Sequence, residues 1–461
     1  MRKPLALVIG ALTVALAAGL VFLRRQPAGP ERVEKPATSS PRSEKEPAEN
    51  ASLPGVVSRL LEEMATSDDP STGAAADRLA ALGNRALPPL IDALARDSDE
   101  IRVAALAGIR RLVQEPWDQL AFEDGVLRLP DPDLDVAVEP VARALDDPSL
   151  PVQVQAAITL GKMGARAAAA VPALQESLST SALPLRVASV AALGKIGPAA
   201  ANATSTIARC LDHEARELRE VAAIALGRIG PDAVSAVPAL VAALADPEGE
   251  VRRWAAAALG KIGNAASAAV PALARALSDP YHEVRYMAAN SLARMQEDAV
   301  PAVADLARGL GDEELRVRRR MAMALGLIGE PAAAAAPALL ALLDGDGEAR
   351  GEAAWALGRM PVAALPALLE RLDSDDESLR KAAAQAIVAA APASPERALP
   401  VLLRHLGDSS ADVALLVEDA LVLLGDAARP SLEEIGPATG PDARKRARNA
   451  LLRIQRRKES E

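Results

Sequence analysis

The sequence predicts an all-α protein: an α-solenoid, a right-handed superhelix of stacked helix pairs, behind one N-terminal transmembrane helix. Three observations carry this. Half of the 461 residues are apolar while only 2% are aromatic, so the core is built from Ala, Leu and Val. A globular core of this size draws on many more rings for its buried area; small apolar side chains suit thin layers of closely packed helices. Alternating runs of β-branched and aromatic residues are absent, which removes the strand signal. Finally, an arginine recurs at Arg186, Arg219, Arg252, Arg285 and Arg318, each 33 residues after the last. Self-similarity at a period of about 20–50 residues marks a repeat array.

Residues 1–25 form the anchor. Leu5 to Leu23 contain no charge and one hydroxyl, Thr13, with Arg2 and Lys3 before the run and Arg24 and Arg25 after it. Such a run reaches about 28 Å as a helix, close to the hydrocarbon thickness of a bilayer. Ala15-Leu16-Ala17 could serve as a signal-peptide cleavage site, but cleavage there leaves an apolar stub, so the uncleaved anchor is favoured. Arg32, Lys35 and Arg42 after the span lean towards a cytoplasmic bulk, whereas a very short head before a signal-like segment leans towards export. The bulk is expected outside the cytoplasm. Residues 26–50 run Pro, Glu, Lys, Ser and Thr without periodicity. They form a flexible tether, because they bury too little apolar surface to offset their ordering entropy.

Residues 51–461 hold about 11–12 repeat units. Val237-Pro238-Ala239-Leu240 and Val270-Pro271-Ala272-Leu273 open two of them. Gln153 takes the arginine slot one period before Arg186, and the register loosens through Arg350, Arg380, Ala414 and Arg444, with steps of 32, 30, 34 and 30. A glycine stands eight residues beyond the slot at Gly161, Gly194, Gly227, Gly260, Gly326 and Gly358. Each unit encodes two helices. The first opens near a proline (Pro88, Pro172, Pro238, Pro271, Pro366, Pro400, Pro430), which the first helical turn tolerates. It ends at an acidic turn: Asp147, Asp246, Asp279, Asp312, Asp344 or Asp408. The second helix starts at the Val-Arg pair and turns Ala, Ala and Leu to one face. Gly164, Gly197, Gly230, Gly263 and Gly329 fit the left-handed stop residue.

This pattern, P-A-L-x-x-A-L-x-D-x-x-x-x-V-R-x-x-A-A-x-A-L-G-x-I-G, resembles the HEAT repeat, in the subgroup similar to phycobilisome-lyase HEAT-like repeats, from about Leu53 to Ile454. The resemblance implies a convex wall of first helices and a concave wall of second helices. It also implies a stacking ladder between the turn aspartate and the Val-Arg arginine, as in Asp246 with Arg252. Two departures stand out. An insertion lies near residues 111–138, with Trp117 and Phe122 expected to pack onto the first units. A basic helix near residues 441–458 is expected to cap the array, since terminal repeats must show water a polar face.

No catalytic constellation can be assembled. His213, His282 and His405 lie in different units, and His282-Glu283-Val284-Arg285-Tyr286 lacks the second histidine of a zincin motif. Asp131-Pro132-Asp133-Leu134-Asp135 opens like a calcium loop, but Val136 stands where glycine is needed, so it reads as a plain acidic loop. The single cysteine, Cys210, excludes an intrachain disulfide and reads as a small apolar filler. A net charge of −10 speaks against general nucleic-acid binding. No enzyme activity, metal or cofactor is expected.

Two rows remain. Lys162, Lys195, Arg228, Lys261 and Arg359 follow the first glycines, where a cation in the last turn favours the helix dipole. The first, second and fifth positions after the Val-Arg arginine point away from the core face. In the central units they hold Arg253, Trp254, Tyr286, Met287, Asn290, Arg319, Arg320 and Met323, followed by Trp355. Trp, Tyr and Arg are the residues most enriched at binding hot spots. The expected function is therefore a non-enzymatic, membrane-tethered scaffold that binds a protein or peptide partner on the concave face. The alternatives are a bilin-handling protein, as the lyase resemblance implies, and a structural spacer.

Overall fold

The computed structural model describes residues 52–67, 70, 73–113, 122–123, 126–127, 132–345, 347–435 and 440–460. The expected anchor, the tether and Trp117 lie outside the described residues.

The described helices pair in chain order. α1 (Leu53–Ala65) pairs with α2 (Ala74–Ala81), α3 (Leu87–Ala93) with α4 (Asp99–Leu112), and α5 (Val138–Arg143) with α6 (Leu150–Met163). The regular block follows: α7 (Val171–Glu176) with α8 (Leu183–Ile196), α9 (Thr204–Arg209) with α10 (Arg216–Ile229), and α11 (Val237–Ala243) with α12 (Gly249–Ile262). Next come α13 (Val270–Ala276) with α14 (His282–Met295), α15 (Val303–Arg308) with α16 (Leu315–Ile328), and α17 (Ala336–Asp344) with α18 (Arg350–Gly358). The last pairs are α19 (Pro361–Arg371) with α20 (Glu377–Ala390), α21 (Pro395–His405) with α22 (Ala411–Leu424), and α23 (Arg429–Glu433) with α24 (Pro441–Ser460). Consecutive second helices pack directly on one another. One continuous core of Ala, Leu, Val and Ile runs from Val57 to Ile454.

The two glycines of each unit have separate jobs. At the first, neighbouring second helices approach backbone to backbone. A Cβ on Gly194 would lie 2.7 Å from Ala225 Cα, and one on Gly161 2.9 Å from Ala192 Cα. The second glycine turns the chain out of the helix with positive φ, from 60° at Gly164 to 76° at Gly230 and Gly329. Gln296 occupies this stop in its unit at φ 49°.

Several expectations need correction. Pro366 and Pro400 do not open helices; they lie inside α19 and α21, which begin a turn earlier at Pro361 and Pro395. Those earlier prolines already take the first-turn positions. Pro366 then forgoes only the bond to Val362, on a turn where that residue is 72% exposed. First helices in the regular block are entered through 3-10 turns such as Gly164–Ala170 and Gly230–Ala236. The insertion is narrower than expected, because α4 runs to Leu112 and helical structure resumes at Pro132. Asp133 to Asp135, expected in a loop, fall in that 3-10 turn. Within the insertion, β1 (Phe122–Glu123) and β2 (Val126–Leu127) pair antiparallel, a small exception to the all-helical expectation.

The basic C-terminal helix sits on the array as a cap does. Ala443, Ala447, Ala450 and Ile454 of α24 are buried. Arg446 and Arg453 reach the buried Glu418 of α22 at 3.4 and 3.2 Å, while Lys458 pairs with Asp426 at 3.0 Å. Among the described residues, the helical stretch apolar and long enough to cross a bilayer is Arg216–Ala243. It spans α10 and α11, is broken by a kink at Ala233 and is half buried in the array.

Candidate partner-binding face

The scaffold beneath the face is an arginine–aspartate ladder. Arg252 donates from Nε and Nη2 to both oxygens of Asp279, at 2.7 and 2.8 Å. Its Nη1 donates to the main-chain carbonyls of Asp246 and Pro247, at 2.9 and 3.1 Å. Asp279 Oδ1 also accepts the Tyr281 N–H at 2.8 Å. One arginine thus ties two consecutive turns together. The expected pairing was therefore one unit out of register: the Asp246 carboxylate accepts from Arg219, and Arg252 touches Asp246 only through its carbonyl. The cause is reach. The guanidinium lies over its own turn and can form its fork only with the carboxylate stacked beyond. Arg102 with Asp147, Arg285 with Asp312 and Arg380 with Asp408 repeat this forked geometry.

The ladder has gaps. Gln153 donates to the Asp147 carbonyl, as an arginine would, but Thr180 stands where the next aspartate belongs. In the following rung His213 replaces the aspartate. Its Nδ1 accepts the Ala215 N–H at 3.0 Å while Nε2 lies 3.0 Å from Arg186 Nη1. A neutral imidazole accepts at one nitrogen only, so one of these contacts sets donor against donor, and Arg186 Nε is buried with no partner among the described residues. Cys210 is buried beside it, and burial pushes its thiol pKa up against the pull of Arg186. Arg318 donates to the main-chain carbonyls of Asp312 and Glu313, at 2.9 and 3.1 Å, but among the described residues the carboxylate it reaches is Glu348, no closer than 3.9 Å.

On this frame the expected face residues stand on consecutive second helices. Arg253, Trp254, Tyr286, Met287, Asn290, Arg320 and Met323 are half-buried, and Arg319 and Trp355 are exposed, Trp355 at 42%. They also bridge units. Trp254 Nε1 donates to Glu220 at 3.2 Å, and the Arg253 guanidinium lies 4.2 Å from the Trp254 ring centre. Arg320 donates to the Tyr286 hydroxyl at 2.8 Å and Arg316 stacks on that ring at 4.6 Å. Arg319 pairs with Glu352, and Trp355 lies across Gly326, where a Cβ would meet its ring at 2.4 Å. The rings therefore fill inter-unit gaps and still show an edge to solvent. Sequence reasoning missed Arg316, Tyr281 and the partner carboxylates Glu220, Glu250, Glu283 and Glu352. Their signal was available: Trp254 with Glu220 and Arg320 with Tyr286 are each 34 residues apart, one unit and one position.

The cation row divides. Arg359 donates to the Gly326 carbonyl at 2.6 Å and stacks on Trp355, so it caps the preceding helix. Lys195 and Lys261 lay their stems 3.4 Å from the Cβ positions of Gly161 and Gly227. Arg294 belongs to the row as well. It was missed because Ala293 stands where its neighbours have glycine. The three histidines stay apart: His213 faces Arg186, His282 packs edge-on to Tyr281 at 5.5 Å, and His405 bonds Asp373 at 3.0 Å. Among the described residues no three His, Cys, Asp or Glu side chains converge on a point that could hold a metal ion.

Comparison with known proteins bears on the fold. The HEAT-repeat family profile matches residues 203–293, 237–310, 270–346 and 336–422, and the lyase-type HEAT-like repeat (PBS lyase HEAT-like repeat) matches residues 152–180. No curated protein matches the chain. Among solved structures, importin β resembles it with a TM-score of 0.51 at 15% identity, over 85% of this chain and 62% of that one. An engineered protein aligns at 22% identity over 80% of this chain and 98% of its own, with a TM-score of 0.47. The recurrent Val-Arg helices, the glycine contacts at each step and the family matches agree: the chain is a HEAT-repeat protein whose helix pairs stack as an α-solenoid.

Proposed function

We propose that this protein is a non-enzymatic scaffold, tethered to a membrane by Leu5 to Leu23 with its repeats outside the cytoplasm. It binds a protein or peptide partner on the face of α12, α14, α16 and α18. One observation carries the reading: a chain that is 2% aromatic gathers Trp254, Tyr286 and Trp355 on neighbouring helices, interleaved with Arg253, Arg319 and Arg320 and with an exposed edge. Where such a side chain is a hot spot, its loss costs about 2 kcal/mol or more of binding. The hydrogen bonds of Trp254, Tyr286, Arg319 and Arg320 across units hold these four in place beforehand, which lowers the ordering cost of association.

The test is affinity capture with the full-length protein in detergent. Trp254→Ala combined with Arg320→Ala should weaken capture of a native partner at least tenfold while the melting temperature moves by only a few degrees. Normal capture with a large fall in melting temperature would make the rings gap fillers alone. Protease protection of the repeats in spheroplasts with a sealed cytoplasmic membrane, lost on lysis, would place them in the cytoplasm and overturn the topology.

A further inference from the structure

The centre of the cation row is built differently from its ends. Arg228, Lys261 and Arg294 are exposed, and none has a hydrogen bond or ion pair among the described residues. Burial and then the charges of Arg228 and Arg294 push the Lys261 pKa down, so these neighbours crowd one another. This contrasts with three arginines of the aromatic face. Arg253 is neutralised by Glu250, Arg316 by Glu283 and Arg319 by Glu352. The helix-dipole account requires one cation per helix end, but it does not explain why three in succession lack a carboxylate on a chain of net charge −10.

Position links the row to the aromatic face. The row stands nine residues after the Val-Arg arginine, seven beyond the Trp254 position, so both lie on one stripe of the second helix. In the unit of Arg350 the row residue Arg359 stacks on Trp355, four residues before it.

We infer that Arg228, Lys261 and Arg294 receive the carboxylates of an extended acidic polypeptide segment lying across the second helices. This rests on the partner-binding reading above and specifies the partner's chemistry. Stacked helices are about 8–10 Å apart, and an extended chain in the polyproline II conformation turns once every three residues at about 3.1 Å per residue, so that every third side chain returns to the same side roughly 9 Å further on. The matching segment therefore places an acidic side chain at every third residue, one per unit.

Two fluorescein-labelled synthetic peptides of identical composition provide the test. One carries glutamate at every third position and the other carries the same glutamates in a block. The full-length protein in detergent should bind the periodic peptide at least tenfold more tightly, with affinity falling as salt rises. Arg228→Ala, Lys261→Ala and Arg294→Ala together should abolish that preference without shifting the melting temperature. Equal binding of both peptides, an unaffected triple variant, or equally tight binding of a single-stranded oligonucleotide would overturn the inference. If the Trp254/Arg320 variant loses a native partner and the triple variant keeps it, the row fails while the face stands. If neither variant loses it, both fail.

Discussion

Gln296 holds a backbone conformation its neighbours reserve for glycine. Its φ of 49° is the only positive value at a non-glycine position among the described residues. A side chain in this region costs about 1 kcal/mol relative to glycine. Gln296→Gly should therefore raise the stability of its unit by about that amount, read as a higher urea midpoint at unchanged slope; a lower midpoint would mean that the glutamine side chain makes a contact outweighing the strain. The stop position itself was legible, because glycine recurs there in five other units. The reason for the first glycine was not. Only the distance from Gly194 to Ala225 shows that it admits the next helix rather than bending its own.

At the scale of the helix pair, the ladder decides how units register. Arg219 and Asp246 have side chains only 11% and 6% exposed, and breaking one partner of such a pair costs about 3 kcal/mol. Burial works to raise the Asp246 pKa. The hydrogen bonds from Arg219 and the Glu248 N–H, with the charges of Arg219 and Arg252, outweigh it and hold the carboxyl below its usual range. Asp408 is held low in the same way, its burial outweighed chiefly by Arg380. An unfolded chain takes up these protons at about pH 4, before the folded one does. The stability from both groups is thus complete above that pH and is lost as acid titrates the folded carboxylates. Asp246→Asn should be less stable than the parent at neutral pH, with the gap narrowing in melts taken below about pH 4. A gap independent of pH would remove the carboxylate charge from the account. The sequence showed which residue types form rungs, but not their direction, because spacing alone does not tell which neighbouring turn a guanidinium can reach.

For the whole molecule, an array of like units needs ends that water accepts. α24 supplies one by covering α22 and placing Arg446 and Arg453 on Glu418, which is 4% exposed. Deleting residues 441–461 should leave that carboxylate unpaired against bare leucine and valine. Aggregation on size-exclusion chromatography and a lower melting onset are expected; a monodisperse truncation of unchanged onset would make α24 an appendage. The repeat architecture was readable from the 33-residue period. The insertion was not, since it lies off the period and offers no second copy for comparison.

The rungs at Arg219, Arg252 and Arg285 are forked and consecutive, while Gln153, Arg186 and Arg318 on either side lack a close carboxylate. The forked cross-bracing is therefore continuous under the three steps that carry Trp254, Tyr286 and Lys261, and interrupted on either side of them. A ligand landing there meets turns that are each tied to the next by one guanidinium.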